Sequence, residues 1–241
     1  MTTTIVREGV TDVFNAAAVE RMGAGEPAWL RERRVHAWEV YEGTPMPTTR
    51  SEEWRYTDLR RKLDLGALRC CTTPVPRDDF TSWPLRLREA MAQDREASGH
   101  LVIIDGRVVH ADVDAALAAK GVVLMSLHEA VEKHEALVKQ YLGTEAVPPE
   151  EGKFAALSAA LWNDGIFLLV PRGVHLELPV RVTRWYSESG VAYLSRTLIV
   201  AETASQVSFV DEVLSDDFTA QTLTSSAVEV FALDGAKVQY V

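Results

Sequence analysis

The sequence contains little cysteine and no long apolar run. Its two cysteines, Cys70 and Cys71, are adjacent, and neighbouring residues rarely reach the geometry of a disulfide. A chain without disulfides suits a reducing compartment, so this composition predicts a cytoplasmic location. The longest strictly apolar runs contain about five residues, such as 166–170, whereas a membrane-spanning helix needs about 20. We therefore expect no transmembrane helix and no membrane partner.

Basic side chains are also scarce relative to acidic ones. The 241 residues include 25 Lys and Arg against 35 Asp and Glu, which gives a net charge of -10. Such a field repels a polyanion, so nucleic acid is not expected as the main ligand. Hydrophobic residues make up 47% and charged residues 25%, which indicates a folded chain of one or two domains.

Three common signatures of catalysis are missing. The Gly-Lys pair at 152–153 is followed by Phe154 and lacks the upstream glycine of a phosphate-binding loop, so the chain should not hydrolyse ATP alone. The segment His128-Glu-Ala-Val-Glu132 lacks the second histidine of a zinc-protease helix, and we interpret it as an exposed helix face. No further cysteine can complete an iron–sulfur cluster with Cys70 and Cys71, which favours a structural role for both. We accordingly predict no catalytic, cofactor-binding or metal residue.

The first 150 residues mix helical and strand patterns. Helical spacing of apolar residues occurs at about 11–22, from Pro27 to Tyr41, at 82–98 and at 127–142. The Asp105-Gly106 pair between two apolar stretches predicts a β-hairpin. We place a domain boundary near Pro148-Pro149, so that residues 1–150 form a helical and mixed α/β region and residues 151–241 a second region.

Polar and charged residues on two predicted helices have ordinary explanations. Thr11 or Asp12 can cap the first helix. Arg31, Arg33 and Arg34 lie on one side of the second helix, and we interpret them as a solvated face.

A repeat organises the second region. Segments that begin at Leu168, Ile199 and Val230 align without a gap at an interval of 31 residues. Apolar residues coincide in four rows, and the last two rows are Leu176, Val207, Val238 and Leu178, Phe209, Tyr240. A polar row of Glu177, Ser208 and Gln239 lies between them, which is the alternation of a strand with one buried face. Small residues coincide at Gly173, Ala204 and Gly235, where we expect a tight corner.

Two architectures satisfy this periodicity. A β-solenoid would stack like rows above one another, and a meander of long antiparallel hairpins could carry the same rows. The sequence stops in the middle of a repeat, at residues 237–241. An uncapped last strand exposes backbone donors and acceptors, which predicts a fragment of a longer protein or a module completed by association, including a homodimer through that strand edge.

A carbohydrate-active β-helix enzyme or a saccharide-binding module is the alternative function. It would need paired carboxylates or an acidic ladder on one face. Glu177 aligns with Ser208 and Gln239, so no ladder is expected. The acidic pairs at 211–212 and 216–217 fall near a predicted turn and are interpreted as solvated.

Two long motifs resemble a known family. The stretch Pro45-Met-Pro-Thr-Thr-Arg-Ser-Glu-Glu-Trp-Arg-Tyr-Thr-Asp-Leu59 resembles the N-terminal motif of the SufB/SufD proteins of the SUF iron–sulfur cluster assembly system. Phe154-Ala-Ala-Leu-Ser-Ala-Ala-Leu-Trp-Asn-Asp-Gly-Ile-Phe-Leu-Leu-Val-Pro-Arg-Gly-Val174, followed by Glu177 and Pro179, is similar to the passage that leads into the family's core. The likeness extends from about residue 28 to the end, and the SufD branch is the nearer one.

The resemblance implies a fold and a role. The fold is α+β, with an N-terminal helical and mixed region followed by a right-handed parallel β-helix core that is incomplete at its C-terminus. The role is a non-catalytic scaffold subunit of a SufBCD complex, paired with a SufB-like paralogue and a SufC-like ATPase. ATP would belong to SufC and the iron–sulfur cluster would be handled transiently by the complex, so this chain would bind no cofactor stably. The C-terminal part of the family has no counterpart here, and we transfer no residue role from it.

Overall fold

The computed structural model describes residues 14–71, 79–92 and 96–241. The α-helices in these ranges are α1 (Ala16–Met22), α2 (Ala28–Gly43), α3 (Leu59–Lys62), α4 (Leu85–Ala92), α5 (Ala115–Ala119), α6 (Leu127–Lys133), α7 (Glu135–Tyr141) and α8 (Lys153–Leu161). The strands are β1 (Arg69–Cys70), β2 (Gly99–Ile104), β3 (Arg107–Val113), β4 (Val123–Ser126), β5 (Asp164–Val170), β6 (Val180–Tyr186), β7 (Val191–Ala201), β8 (Gln206–Ser215), β9 (Leu223–Ala232) and β10 (Lys237–Tyr240).

Helix ends differ from the sequence prediction in three places. The side chain of Asn15 accepts a hydrogen bond from the amide of Ala18 and caps α1. The predicted caps, Thr11 and Asp12, lie outside the described ranges. The helical pattern at 82–98 predicts an end at Gly99, but Gly99 begins β2, where the carbonyl of Asp112 lies too close to admit a Cβ. The segment 127–142 forms two helices because the chain breaks at His134, with φ -129° and ψ 35°.

The strands form two five-stranded sheets. In the first sheet, β7 lies between β5 and β9, β4 pairs with the far side of β5, and β1 pairs with the start of β7. In the second sheet the order is β10, β8, β6, β2, β3. Both sheets are mixed. β4 pairs antiparallel with β5 in the first sheet and β3 pairs antiparallel with β2 in the second, whereas the other neighbouring strands are parallel. The predicted hairpin is confirmed, because β2 and β3 are joined by Asp105 and Gly106, both with positive φ.

Strand register confirms the 31-residue interval. Leu168 pairs with Ile199 and Ile199 pairs with Val230 in the first sheet. Val207 pairs with Val238 in the second sheet, and an isolated parallel bridge joins His175 to Gln206. Successive strands from β5 to β10 alternate between the sheets, and each strand from β5 to β8 pairs in parallel with the strand two positions later. A meander would instead pair successive strands antiparallel.

One predicted row is wrong at its first member. Phe209 pairs with Tyr240 as expected, but it pairs on its other side with Val180 and not with Leu178. The extra two residues are taken up before β6, where the carbonyls of Leu178 and Pro179 accept hydrogen bonds from the Ser98 hydroxyl and amide. Leu178 is consequently 39% exposed.

The corners of the repeat stack as the small-residue row predicts. Gly173, Ala204 and Gly235 have φ of 70°, 59° and 70°, all in the left-handed region. The amide of Gly173 donates to the carbonyl of Thr203, and the amide of Ala204 donates to that of Asp234. Each corner is therefore hydrogen-bonded to the next one along the stack.

Apolar packing defines the layers. Between the sheets lies a core of aliphatic side chains and Phe209, which includes Leu176 and Val207 with Val238 packed against it. The opposite face of the first sheet is covered by helices α1, α2, α6, α7 and α8. On the outer face of the second sheet, Trp185 packs with Trp83 and with Leu87 of α4. Strands from the first half of the chain thus share sheets and cores with strands from the second half.

The corner row leads to paired stability predictions of opposite sign. Gly173→Ala should lower the free energy of unfolding by about 1–2 kcal/mol, because a Cβ at that φ is strained although no atom lies within 4 Å of it. Ala204→Gly should raise it by up to about 1 kcal/mol by relieving the same strain. Urea denaturation of the 241-residue chain measures both.

Gly43→Ala is the matched control, since Gly43 also has open space around it but lies in helix α2 at ordinary φ. It should stabilise slightly. A Gly173→Ala chain as stable as the parent would contradict the strained-corner interpretation.

Candidate functional site

A buried arginine links the two sheets from inside. Arg184 of β6 donates from Nε to Asp211 Oδ1 at 2.8 Å and from Nη2 to Oδ2 at 3.1 Å. Its Nη1 and Nη2 also donate to the hydroxyls of Ser195 and Thr197 on β7, at 3.1 and 2.9 Å. The Arg184 and Asp211 side chains are 2% and 8% exposed. The ion pair is therefore desolvated, and it ties both sheets together.

Asp211 corrects the prediction of a solvated acidic pair. It lies within strand β8 and not at a turn, and the phenol of Tyr240 in the next strand donates to its Oδ2 at 2.6 Å. Burial raises the pKa of Tyr240, so this phenol stays protonated at neutral pH and remains the donor.

A second buried pair fastens the helical layer to the first sheet. Arg196 of β7 and Glu229 of β9 face the helices, with 2.7 Å between Nη2 and Oε1. Glu229 Oε2 accepts the amide of Gly143 at 2.6 Å, and Arg196 donates to the carbonyl of Val147 at 2.7 Å. Burial raises the pKa of Glu229, and the neighbouring Arg196 opposes that effect. The segment after α7 is thereby held against the sheet.

The predicted arginine face of α2 is only partly solvated. Arg34 is 1% exposed, forms a bidentate pair with Glu26 at 2.6 and 2.7 Å, and lies over the ring of Trp162. Arg33 donates to two carbonyls at the end of α7. His128 does not simply face solvent either, because its ring packs against Trp162 at a centroid distance of 4.8 Å.

The two cysteines have different surroundings: Cys70 packs in the apolar cluster beneath α1, α2 and α8, whereas Cys71 lies beside polar groups. Both are buried and form no disulfide. The Sγ of Cys71 donates to the carbonyl of Asp105 at 3.0 Å and lies 3.7 Å from Asn163 Nδ2. Burial, with the nearby Asp105 charge, raises the pKa of the Cys71 thiol to about 12. Its thiolate form, which attacks electrophiles and binds metals, is therefore disfavoured at neutral pH.

Other residues singled out in the sequence lie apart from one another. Lys153 begins α8, and its ammonium lies over the ring of Tyr41 and bonds the Tyr41 carbonyl, so it is occupied by a helix contact. Glu177, Ser208 and Gln239 follow one another along the outside of the stack, and Glu177 is the only carboxylate of the three. In the described ranges, no group of three or more His, Cys, Asp or Glu side chains could hold a metal ion, and no helix is long and apolar enough to cross a membrane.

The remaining candidate site is a strand edge. Strand β9 pairs with β7 alone and β10 pairs with β8 alone, so one edge of each strand has no strand partner within the described ranges. Large apolar side chains are exposed in this part of the chain: Val213, Phe218, Val230, Leu233, Tyr240 and Val241. Open backbone donors and acceptors beside apolar side chains are the elements of a surface that adds further strands.

These features define a protein with an open strand edge that can pair with further strands. Comparisons with known proteins show which family it resembles. The profile of the SufBD protein N-terminal region matches residues 94–182. The iron-sulfur cluster assembly protein SufD of Bacillus subtilis is 31% identical over 219 residues, which cover 89% of this chain and 48% of the relative. The iron-sulfur cluster assembly protein SufB of the same organism is 25% identical over 225 residues, covering 89% and 46%.

The chain is therefore similar to proteins of the SufBD family over most of its length. A SufBD family protein of Staphylococcus haemolyticus is also similar, at 26% identity over 218 residues that cover 89% of this chain and 46% of the relative. The chain thus spans about half the length of the curated relatives it matches.

The buried ion pairs were missed by the sequence reasoning. A signal for Arg184 existed, because it shares the strand face of Val180 and Val182, which are both buried. A charged residue on an apolar face needs a partner. The identity of that partner depends on which strand lies alongside, and a single sequence does not state it.

Removing the interior carboxylate should destabilise the fold strongly. Asp211→Ala leaves Arg184 buried and without its ion-pair partner, so the free energy of unfolding should fall by about 3 kcal/mol or more. Asp216→Ala, which removes an exposed carboxylate just after β8, should change it by less than about 0.5 kcal/mol. Urea denaturation of both variants checks this, and equal effects would contradict the network described.

The Cys71 thiol should be unreactive in the folded chain. In a Cys70→Ala variant, 5,5′-dithiobis(2-nitrobenzoic acid) at about pH 8 should label Cys71 at least about 100-fold more slowly in buffer than in urea. The pKa of the Cys71 thiol is about 12 in the folded chain, against an ordinary value of 9.0. The stability that the protonated thiol contributes is therefore fully present below pH 9, and it is lost as the pH rises from 9 through 12. Fast stoichiometric labelling of the native variant would contradict the buried placement.

Proposed function

We propose that this chain serves as a SufD-like, non-catalytic scaffold subunit in iron–sulfur cluster assembly in the cytoplasm. Its partners are a SufB-like paralogue and a SufC-like ATPase. The observation that carries the proposal is the match to SufD and SufB relatives over 89% of the chain. Identity of 31% to SufD against 25% to SufB favours the SufD-like role.

The fold we propose for this role is a right-handed parallel β-helix. Its support is the alternation of β5 to β10 between two sheets, with parallel partners 31 residues apart. In a β-helix the open edges of β9 and β10 accept further coils or a strand of another chain, a second copy of this chain included. Assembly through that edge requires backbone pairing and apolar contact but no catalytic side chain.

Two observations on residues of this chain support the division of labour. The Gly152-Lys153 pair is engaged in helix α8, so ATP is assigned to the SufC-like subunit. Cys71 is held as a neutral thiol by burial, so a cluster would be handled by the assembled complex and not stored on this thiol. No resident cofactor is assigned to the chain.

The test is to tag the protein at its own gene and identify what purifies with it. SufB-like and SufC-like subunits should be recovered in stoichiometric amounts, and ATPase activity should depend on the SufC-like subunit. Deleting the gene should lower aconitase activity, which needs an iron–sulfur cluster, while malate dehydrogenase activity, which needs none, stays unchanged.

A complex without either subunit, together with unchanged aconitase activity, would overturn the proposal. Cleavage or tight binding of a polysaccharide by the purified protein would favour the saccharide alternative. A brown purified protein with visible absorption would indicate a cluster carrier and would also contradict the scaffold role.

A further inference from the structure

A cavity of about 230 Å³ lies between the helical layer and the first sheet. Helix α2 contributes one wall, the segment 142–150 a second, and the end of α8 a third. Arg196 of β7 forms the floor. The cavity is separate from the strand edge of the proposed scaffold role, so a ligand could bind in it whether or not the chain serves that role.

Most of the cavity surface is apolar. Leu30, Leu142, Ala159 and Trp162 line it, together with the two prolines at 148–149. Leu30, Leu142 and Trp162 are at most 3% exposed in the folded chain, so these walls are set by the core and not by mobile surface side chains. An apolar lining with a few convergent polar groups is the usual composition of a small-molecule site.

Two guanidinium groups supply the polar part. Arg33 and Arg196 both line the cavity. Burial lowers the pKa of Arg33, and the Glu229 carboxylate opposes that effect. Glu229 is the carboxylate near both arginines, so one negative charge balances two positive charges. The carbonyls at the end of α7, which accept hydrogen bonds from Arg33, offset part of the positive charge that is left.

Both guanidiniums have hydrogen-bonding capacity to spare. The described contacts use two donors of Arg33, on the Lys139 and Leu142 carbonyls. They use three of Arg196, on Glu229 and Val147. Since a guanidinium has five N–H donors, each can still donate to an anion.

A hydrogen-bonded histidine–carboxylate pair lies at the mouth. His36 Nε2 and Glu150 Oε1 lie 2.8 Å apart, and both side chains are 58% exposed. Hydrogen bonding to His36 lowers the pKa of Glu150, so the carboxylate is ionised at neutral pH and paired at the rim. The guanidiniums that would bind an anion lie deeper in the cavity, at Arg33 and Arg196.

We propose that this cavity binds a small monoanion with an apolar body, of the class of short-chain carboxylates. Its carboxylate would accept hydrogen bonds from Arg33 and Arg196, and its hydrocarbon part would contact Trp162 and Leu30. At about 30 Å³ for each water-sized group, the volume admits about eight non-hydrogen atoms. Hexanoate has that size and is the probe for the test.

Isothermal titration of the 241-residue chain with hexanoate, 1-hexanol and hexylammonium separates charge from hydrophobicity. Hexanoate should saturate a single site, bind at least about tenfold more tightly than hexanol, and weaken as salt is raised. Hexylammonium should not bind. Equal affinity for hexanoate and hexanol, or no saturation by hexanoate, would overturn the proposal.

Two variants locate the site. Arg33→Gln should weaken hexanoate binding at least about tenfold, whereas Arg31→Gln removes the same charge from the same helix outside the cavity and should not change it. Ala159→Leu should abolish binding by filling the space while every charge is kept, and it stands in if Arg33→Gln fails to fold. Hexanoate binding that survives Ala159→Leu, or that Arg31→Gln weakens equally, would place the ligand elsewhere.

Discussion

Parallel pairing in equal register is the constraint on which the rest of the structure depends. Each strand from β7 onward repeats the inward and outward order of the strand beneath it, because paired residues share a face of the sheet. Ile199 is buried above Leu168 for that reason, and Arg196 faces the helices with Leu198. A shift of one residue would exchange these faces and expose the core.

The same register allows two ion pairs to be buried, because it holds both partners of each pair in fixed positions. Arg184 reaches across to β7 and sideways to Asp211 because three strands hold their positions at once. Arg196 and Glu229 occupy neighbouring strands on the other face, and their remaining bonds go to the segment after α7. Buried ion pairs contribute little net stability, but each one penalises any arrangement that separates its partners.

Sequence reasoning succeeded where the physics is local or periodic. The Asp105-Gly106 hairpin follows from backbone conformation at two residues. The rows at an interval of 31 residues follow because, in each repeat, the same positions must point into the core. Sequence reasoning failed where contacts with a distant segment of the chain determine whether a side chain is buried. Leu178 left its predicted row because Ser98 binds the backbone before β6, and Arg34 is buried because Glu26 and Trp162 enclose it. The cavity beside Arg196 is likewise lined by elements that lie far apart in the chain, so no sequence motif predicts it.

The pairing of early strands with late ones has a consequence for synthesis on the ribosome. Arg69 of β1 pairs with Val191, which is translated 122 residues later, and Gly99 of β2 pairs with Val180. At about 5–20 residues per second, β1 waits roughly 6 to 24 s for its neighbour to be made. During that interval Cys70 has no strand to pair with and β2 has only β3, so the nascent chain is most exposed to chaperones and to misassociation before the second half is translated.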